Sequence, residues 1–184
     1  SASLDLQNVN YSTTEGLTLA GGSTVGTSTG TSIYAGGITL TGNSDVLVSA
    51  SQQLTLSGVI TDGGSIFGIT KTGAGVAVLS NGNTYDGTTL VSSGVLAVTV
   101  NAALGSVTGG TTVSNGAFLD IQNVNYSNIE GLTLDTGTIG TTTGTSTYAG
   151  GITLTTGTGL INIAGTQLTL SGVITDGGST FGIT

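Results

Sequence analysis

Histidine, cysteine, proline, methionine and tryptophan are all missing from this 184-residue sequence, and Lys71 is its single basic residue. Without histidine there is no Ser-His-Asp route to hydrolysis. Without cysteine there is no disulfide framework, so cysteine usage assigns no redox compartment. One cation cannot neutralise a row of phosphates, which excludes a nucleic-acid partner, and the same shortage disfavours an anionic membrane surface. No apolar run approaches the roughly 20 residues that a membrane-spanning helix needs, so no membrane insertion is expected. Charge of any sign is scarce: 5% of residues, against about 25% in ordinary globular proteins.

What is present points to order. Hydrophobic residues make up 36% of the chain, and Val, Ile and Leu sit in short clusters separated by Gly, Thr, Ser and Asn. Disordered chains combine low hydrophobicity with high charge; this chain reverses the second condition and fails the first. It is also long enough to bury a core.

Internal repetition decides the architecture. Residues 1–70 recur as residues 116–184: Gln7 to Ser12 returns unchanged as Gln122 to Ser127, Tyr34 to Thr41 as Tyr148 to Thr155, and Gln53 to Ser65 as Gln167 to Ser179. The offset falls from 115 to 114 between Leu19 and Tyr34, which places a one-residue deletion in a Gly/Thr-rich stretch. Residues 71–115 complete the unit. The whole of 1–184 reads as one segment of a tandem array. Neither end reads as a polar cap, so the native polypeptide is expected to continue in both directions.

Within the unit the pattern is strand, turn, strand. Leu17-Thr18-Leu19, Ile38-Thr39-Leu40, Leu54-Thr55-Leu56 and Phe118-Leu119-Asp120-Ile121 alternate apolar and polar positions, as half-buried strands do. Gly-Gly, Asn-Gly and Asp-Gly turns separate them. Few aromatics are available to fill a thick sandwich, whereas stacked Val, Ile and Leu can fill a narrow coil. The fold class is therefore all-β, a parallel β-helix (β-solenoid). Leu17, Ile38, Leu54, Val76 and Leu96 read as one series of equivalent strands. About 20 residues per coil gives roughly nine coils and a rod of about 45 Å at the usual strand spacing.

Residues 54–98 carry a more specific signal, in the elements Lys71-Thr72-Gly73-Ala74-Gly75, the strand Val76 to Leu79, Ser80 to Thr89, then Val91-Ser92-Ser93-Gly94-Val95-Leu96. This segment resembles the passenger-associated strand repeat of bacterial autotransporters and related giant surface adhesins. The resemblance implies a right-handed coil, export from the cell, a stalk or spacer role, and no catalytic residues. It does not establish attachment through an outer-membrane barrel.

Several residues invite a chemical reading. Asp62-Gly63-Gly64 and Asp176-Gly177-Gly178 could offer oxygens to calcium, but turns closed by the Asp side chain are the favoured reading; no metal site and no cofactor are expected. Glu15 and Glu130, and Asp5 and Asp120, occupy equivalent positions and are expected to be solvated edges, with no catalytic pair. Lys71 is read as a turn residue whose loss leaves folding and assembly intact, and no isopeptide crosslink through it is expected. Tyr11, Tyr34, Tyr126 and Tyr148 are candidate glycan contacts. The competing expectation is that these rings, with Tyr85, Phe67 and Phe181, plug coil corners with the tyrosine hydroxyls reaching solvent. Gly22 to Ser32 and Gly137 to Thr147 are expected to be bulging loops, although they could present hydroxyls to ice or glycans. Asn10-Tyr11-Ser12 and Asn125-Tyr126-Ser127 fit the N-glycosylation pattern.

The sequence thus predicts a non-enzymatic spacer or filament segment of an extracellular surface fibre or adhesin, located at the cell surface or in a secreted fibre. Its expected partners are further copies of the same repeat or like subunits, bundled through Thr/Ser/Asn faces, and surface glycans if it is a binding module. A glycan- or cell-binding adhesin module is the first alternative. A polysaccharide-degrading β-helix or phage tail protein is the second, for which the sequence offers no carboxylate cluster.

Overall fold

The computed structural model describes residues 2–156, 159–180 and 182–183. Among them the chain forms strands and turns without helix, and all pairings between strands are parallel. The strands stack into a three-faced solenoid. The first face is a nine-stranded sheet running from Ser3–Asp5 through Thr24–Thr27, Ser44–Val48, Ile69–Thr72, Thr89–Val91, Thr111–Ser114, Leu132–Asp135 and Ile152–Thr156 to Ile174–Thr175. The second is an eight-stranded sheet from Asn10–Tyr11 through Thr31–Tyr34, Gln53–Leu56, Val76–Leu79, Val95–Val98, Phe118–Ile121 and Thr138–Thr141 to Leu160–Ile163. The third face carries Leu17–Leu19, Ile38–Leu40 and Ile60–Thr61 early in the chain, and Asn125–Tyr126, Thr145–Tyr148 and Gln167–Leu170 late. Between those two groups it is crossed by irregular segments 80–88 and 99–110. Backbone bonds from Thr84 N to the Ile60 carbonyl and from Asn83 N to the Ala102 carbonyl (both 2.9 Å) continue the stacking there.

Neighbouring strands of the first face are 20 to 25 residues apart in sequence, as in Thr70 against Leu90 and Asp45 against Thr70. The nine strands span eight steps, about 38 Å at the usual strand spacing. The series Leu17, Ile38, Leu54, Val76 and Leu96 is therefore a correction: Leu17 and Ile38 pair on the third face, while Leu54, Ala77 and Leu96 pair on the second. Alternation shows that a strand has one face inward but not which side of a triangular coil it occupies.

Each face sends every second side chain inward to a column of like residues. Val25, Val46, Val91, Val113, Leu134 and Leu154 stack along the first face, all 4% exposed or less. Leu54, Ala77, Leu96, Leu119 and Ile139 do so along the second. Columns of this kind bury aliphatic area without large rings, which is how a chain with 4% aromatics builds a core.

The stretches expected to bulge are ordinary strands. Thr24–Thr27 and Thr31–Tyr34, like Thr138–Thr141 and Thr145–Tyr148, lie in register with their neighbours. Their small polar residues point inward at one corner. Thr27 Oγ1 lies 3.3 Å from Ser32 Oγ, which donates to the Leu6 carbonyl at 2.8 Å. Thr141 and Ser146 repeat the pair at 3.2 Å, with Ser146 donating to the Ile121 carbonyl. Hydroxyls matched in this way satisfy a backbone carbonyl that the corner leaves unpaired. The one-residue deletion falls where the third face turns into the first in one copy, at 20–23. Its counterpart lies beside a register shift between Leu134 and Asp135 in the other.

Candidate functional site: a repeated tyrosine–glutamate corner and a buried lysine

Tyr11 and Tyr34 are register partners on adjacent coils, and strand spacing brings their rings into a stack with centroids 5.4 Å apart and planes 10° apart. Tyr126 and Tyr148 form the same stack at 5.5 Å and 17°. In both copies a glutamate four residues after the first tyrosine closes the corner. Tyr11 donates to Glu15 Oε2 at 2.6 Å and Tyr34 to the Glu15 carbonyl at 2.7 Å. Tyr126 donates to Glu130 Oε2 at 3.1 Å and Tyr148 to the Glu130 carbonyl at 2.9 Å. A glycine beside each second tyrosine makes room. A Cβ on Gly36 would meet the Glu15 carbonyl oxygen at 1.9 Å, and one on Gly150 would meet that of Glu130 at 1.7 Å.

Coverage separates the two corners. Tyr11 is partly open and Glu15 exposed, lining an open cleft with Leu4, Leu6 and Leu17. Tyr126, Glu130 and Tyr148 are each 0% exposed, because the coil before them lies across the corner. Leu104 N donates to the Tyr126 hydroxyl at 3.1 Å and Thr111 Oγ1 to Glu130 Oε1 at 2.6 Å. Burial pushes the Glu130 carboxyl up to about 7, against the opposing pull of the Thr111 and Tyr126 hydroxyls. Burial and the nearby Glu130 raise Tyr126 and Tyr148 above the usual phenol range.

Glycan stacking at the tyrosines is thereby corrected for three of the four candidates. Tyr34 is 4% exposed and Tyr126 and Tyr148 0%, so their ring faces are spent on each other and on the core; Tyr11 alone keeps partial access. Nor do the hydroxyls of Tyr126 and Tyr148 reach solvent, whereas that of Tyr11 bonds the exposed Glu15. Tyr85, also 0% exposed, places its hydroxyl 2.6 Å from Thr89 Oγ1. Phe67 packs against the core, and Phe181 lies outside the described residues. Asp5 and Glu15, on the first coil of the chain, are exposed; Asp120 at 1% exposure and Glu130 at 0%, with a coil stacked before them, correct the expectation of solvated edges.

Lys71 is the second correction. It is a strand residue, 0% exposed, stacked between Val46 and Val91 in the aliphatic column of the first face. Its ammonium donates to the carbonyls of Thr72 at 2.8 Å, Gly73 at 2.7 Å and Ser93 at 3.1 Å. It therefore joins the turns of two successive coils. Burial lowers its pKa to about 8, which still leaves it protonated at neutral pH. The alternation Ile69, Lys71 was the available signal, since Lys71 stands on the apolar phase of its strand.

The Asp-Gly-Gly turns close on themselves. Asp62 Oδ1 accepts from Gly64 N at 3.2 Å and Asp176 Oδ1 from Gly178 N at 3.0 Å, with all four glycines at positive φ between 66° and 86°. Burial opposes ionisation of Asp62, but the N–H groups of Asp86, Phe67 and Gly64 outweigh it and hold the carboxyl below its usual range. Asp5 accepts from the Ser28 and Gln7 side chains, which lower its pKa; the Asp120 carboxylate accepts hydrogen bonds from the equivalent Thr142 and Gln122 side chains. Among the described residues every buried side-chain nitrogen and oxygen has a hydrogen-bond partner.

A stacked rod of parallel coils, with its buried polar side chains bridging coil to coil, defines a parallel β-solenoid. Residues 69–98 match the model of the passenger-associated-transport-repeat. Over 163 residues, 86% of its length, the chain is 32% identical to the adhesin BmaC autotransporter of Brucella suis biovar 1 (strain 1330). It spans only 4% of that protein's length. The resemblance read from residues 54–98 is thus shown, and the similarity extends over most of the chain. No solved structure matches the chain.

Proposed function

We propose that this chain is a non-enzymatic spacer within the exported, surface-exposed part of an autotransporter-type adhesin. The observation that carries this reading is the continuity of the stack: first-face strands pair without a break from Ser3–Asp5 to Ile174–Thr175. Each coil adds about 4.8 Å of reach and one layer of backbone hydrogen bonds along the axis. Lys71, Asp120, Glu130, Tyr126 and Tyr148 are turned inward here and bridge coils. Low charge and a lone, buried lysine suit a rod outside the cell, since trypsin-like proteases find no exposed basic residue.

Deleting residues 1–184 from the full surface protein tests this directly. The spacer reading expects the distal end to sit about 38 Å nearer the cell surface while the separately purified distal region keeps its binding. Loss of target binding by a protein with unchanged distal region would instead make this segment the adhesive element.

A further inference from the structure

Equivalent residues of the two copies do not lie on the same side of the rod. Between Ser3–Asp5 and Thr111–Ser114 the first face is crossed six times, which is five full coils. The second copy then begins one face later. Phe118–Ile121, the counterpart of Ser3–Asp5, pairs within the second face, and Leu132–Asp135, the counterpart of Leu17–Leu19 on the third face, pairs within the first. Likewise Thr31–Tyr34 belongs to the second face and Thr145–Tyr148 to the third.

The local contacts survive this change of side. The tyrosine stacks, the tyrosine–glutamate bonds, the Thr/Ser corner and the Asp–Gln clusters all recur with the same partners. The three faces are therefore interchangeable environments for one sequence, and the unit amounts to five and one-third coils.

We propose that the repeat is cut to this non-integral length so that tandem copies screw around the rod, each turned by one face from the last. This rests on the spacer reading and says what kind of spacer it is. Each further copy, wherever the chain carries one, presents the same exposed residues one face on, so three copies show one surface on all three sides. The irregular crossings at 80–88 and 99–110, which replace strands on the third face, then fall on each side in turn. A rod whose weak side rotates has no continuous seam along which to bend, and a lateral neighbour meets the same chemistry from every direction. A unit of five or six whole coils would align both the weak segments and the surface on one side.

Spin labels read the screw in the chain as it stands, because the absence of native cysteine makes every introduced pair unique. Thr31 and Thr138 lie in one column of the second face, five register steps apart, so labels at Thr31→Cys and Thr138→Cys should sit about 24 Å apart. Thr145 is the copy-equivalent of Thr31. With Thr31→Cys and Thr145→Cys, an axial offset of about 26 Å combines with one face width of about 20 Å to give about 33 Å. A second equivalent pair, Ser12→Cys with Ser127→Cys, should give a similar long distance, and serves if the first variant misfolds. Long distances for the equivalent pairs uphold the screw; distances near 24 Å for them would place both copies on one side and overturn it. Either result is independent of the deletion test, which alone decides whether the segment is a spacer.

Discussion

The corner around Glu15 and the corner around Glu130 are built from nearly the same residues with the same hydrogen bonds, yet within residues 1–184 only the second has a preceding coil laid over it. Tyr11 and Glu15 have no coil across them among the described residues, whereas the 99–111 segment lies over Tyr126 and Glu130. The difference shows that in a solenoid the environment of a side chain is set by the coil stacked on it, not by its own strand. Nearest-neighbour coupling of this kind is what makes repeat proteins stable in proportion to their interfaces.

Breaking the sealed corner should therefore cost more than breaking the open one. Tyr126→Ala removes a fully buried ring and should lower stability by about 3–5 kcal/mol, with Tyr11→Ala clearly milder; thermal unfolding of the pair measures the gap. Lys71→Ala leaves three carbonyls of two coil turns without their donor and a hole in the aliphatic column, a loss of about 3 kcal/mol. Lys71→Met should recover the packing part alone, and an unchanged melting temperature for Lys71→Ala would contradict the buried cap.

Glu130 sharpens the comparison through pH. Its folded pKa of about 7 stands above the ordinary 4.5, so its contribution is complete below pH 4.5 and is lost as pH rises through 7. The loss approaches about 3 kcal/mol above pH 7. Urea unfolding across that window should show the decline in the parent chain and a flatter profile in Glu130→Gln. Smaller again is the glycine pair. Gly150→Ala forces a Cβ against the Glu130 carbonyl inside the sealed corner, at about 1–3 kcal/mol, while Gly36→Ala should be better tolerated because the open corner can shift.

Much of the fold was legible because its signals are local and periodic. Alternation at Leu17 to Leu19 or Leu54 to Leu56 marks half-buried strands, and a 114-to-115-residue repeat demands a stacked array. Which face a strand occupies is not local. Nothing in Phe118-Leu119-Asp120-Ile121 says that it lies one face on from Ser3-Leu4-Asp5, because that depends on the summed lengths of all the coils between. The Thr- and Ser-rich strands resemble loops in sequence for a related reason: their inward hydroxyls mimic loop composition while serving Leu6 and Ile121 carbonyls. The bonds that tie the tyrosines to Glu15 and Glu130 are not legible in the sequence, because these partners acquire meaning only once the next coil is stacked. The Tyr-x-x-x-Glu spacing, present in both copies, was the clue that sequence offered.

Hydrogen exchange on the 184-residue chain puts the role of stacking to the sharpest test. The Ala35 amide donates to the Tyr11 carbonyl and the Ala149 amide to the Tyr126 carbonyl, each at 3.0 Å, in the same local sequence. If coil stacking sets stability, Ala149 should exchange orders of magnitude more slowly than Ala35. Equal rates would mean that each strand's own hydrogen bonds, rather than the coil laid over them, hold the rod together.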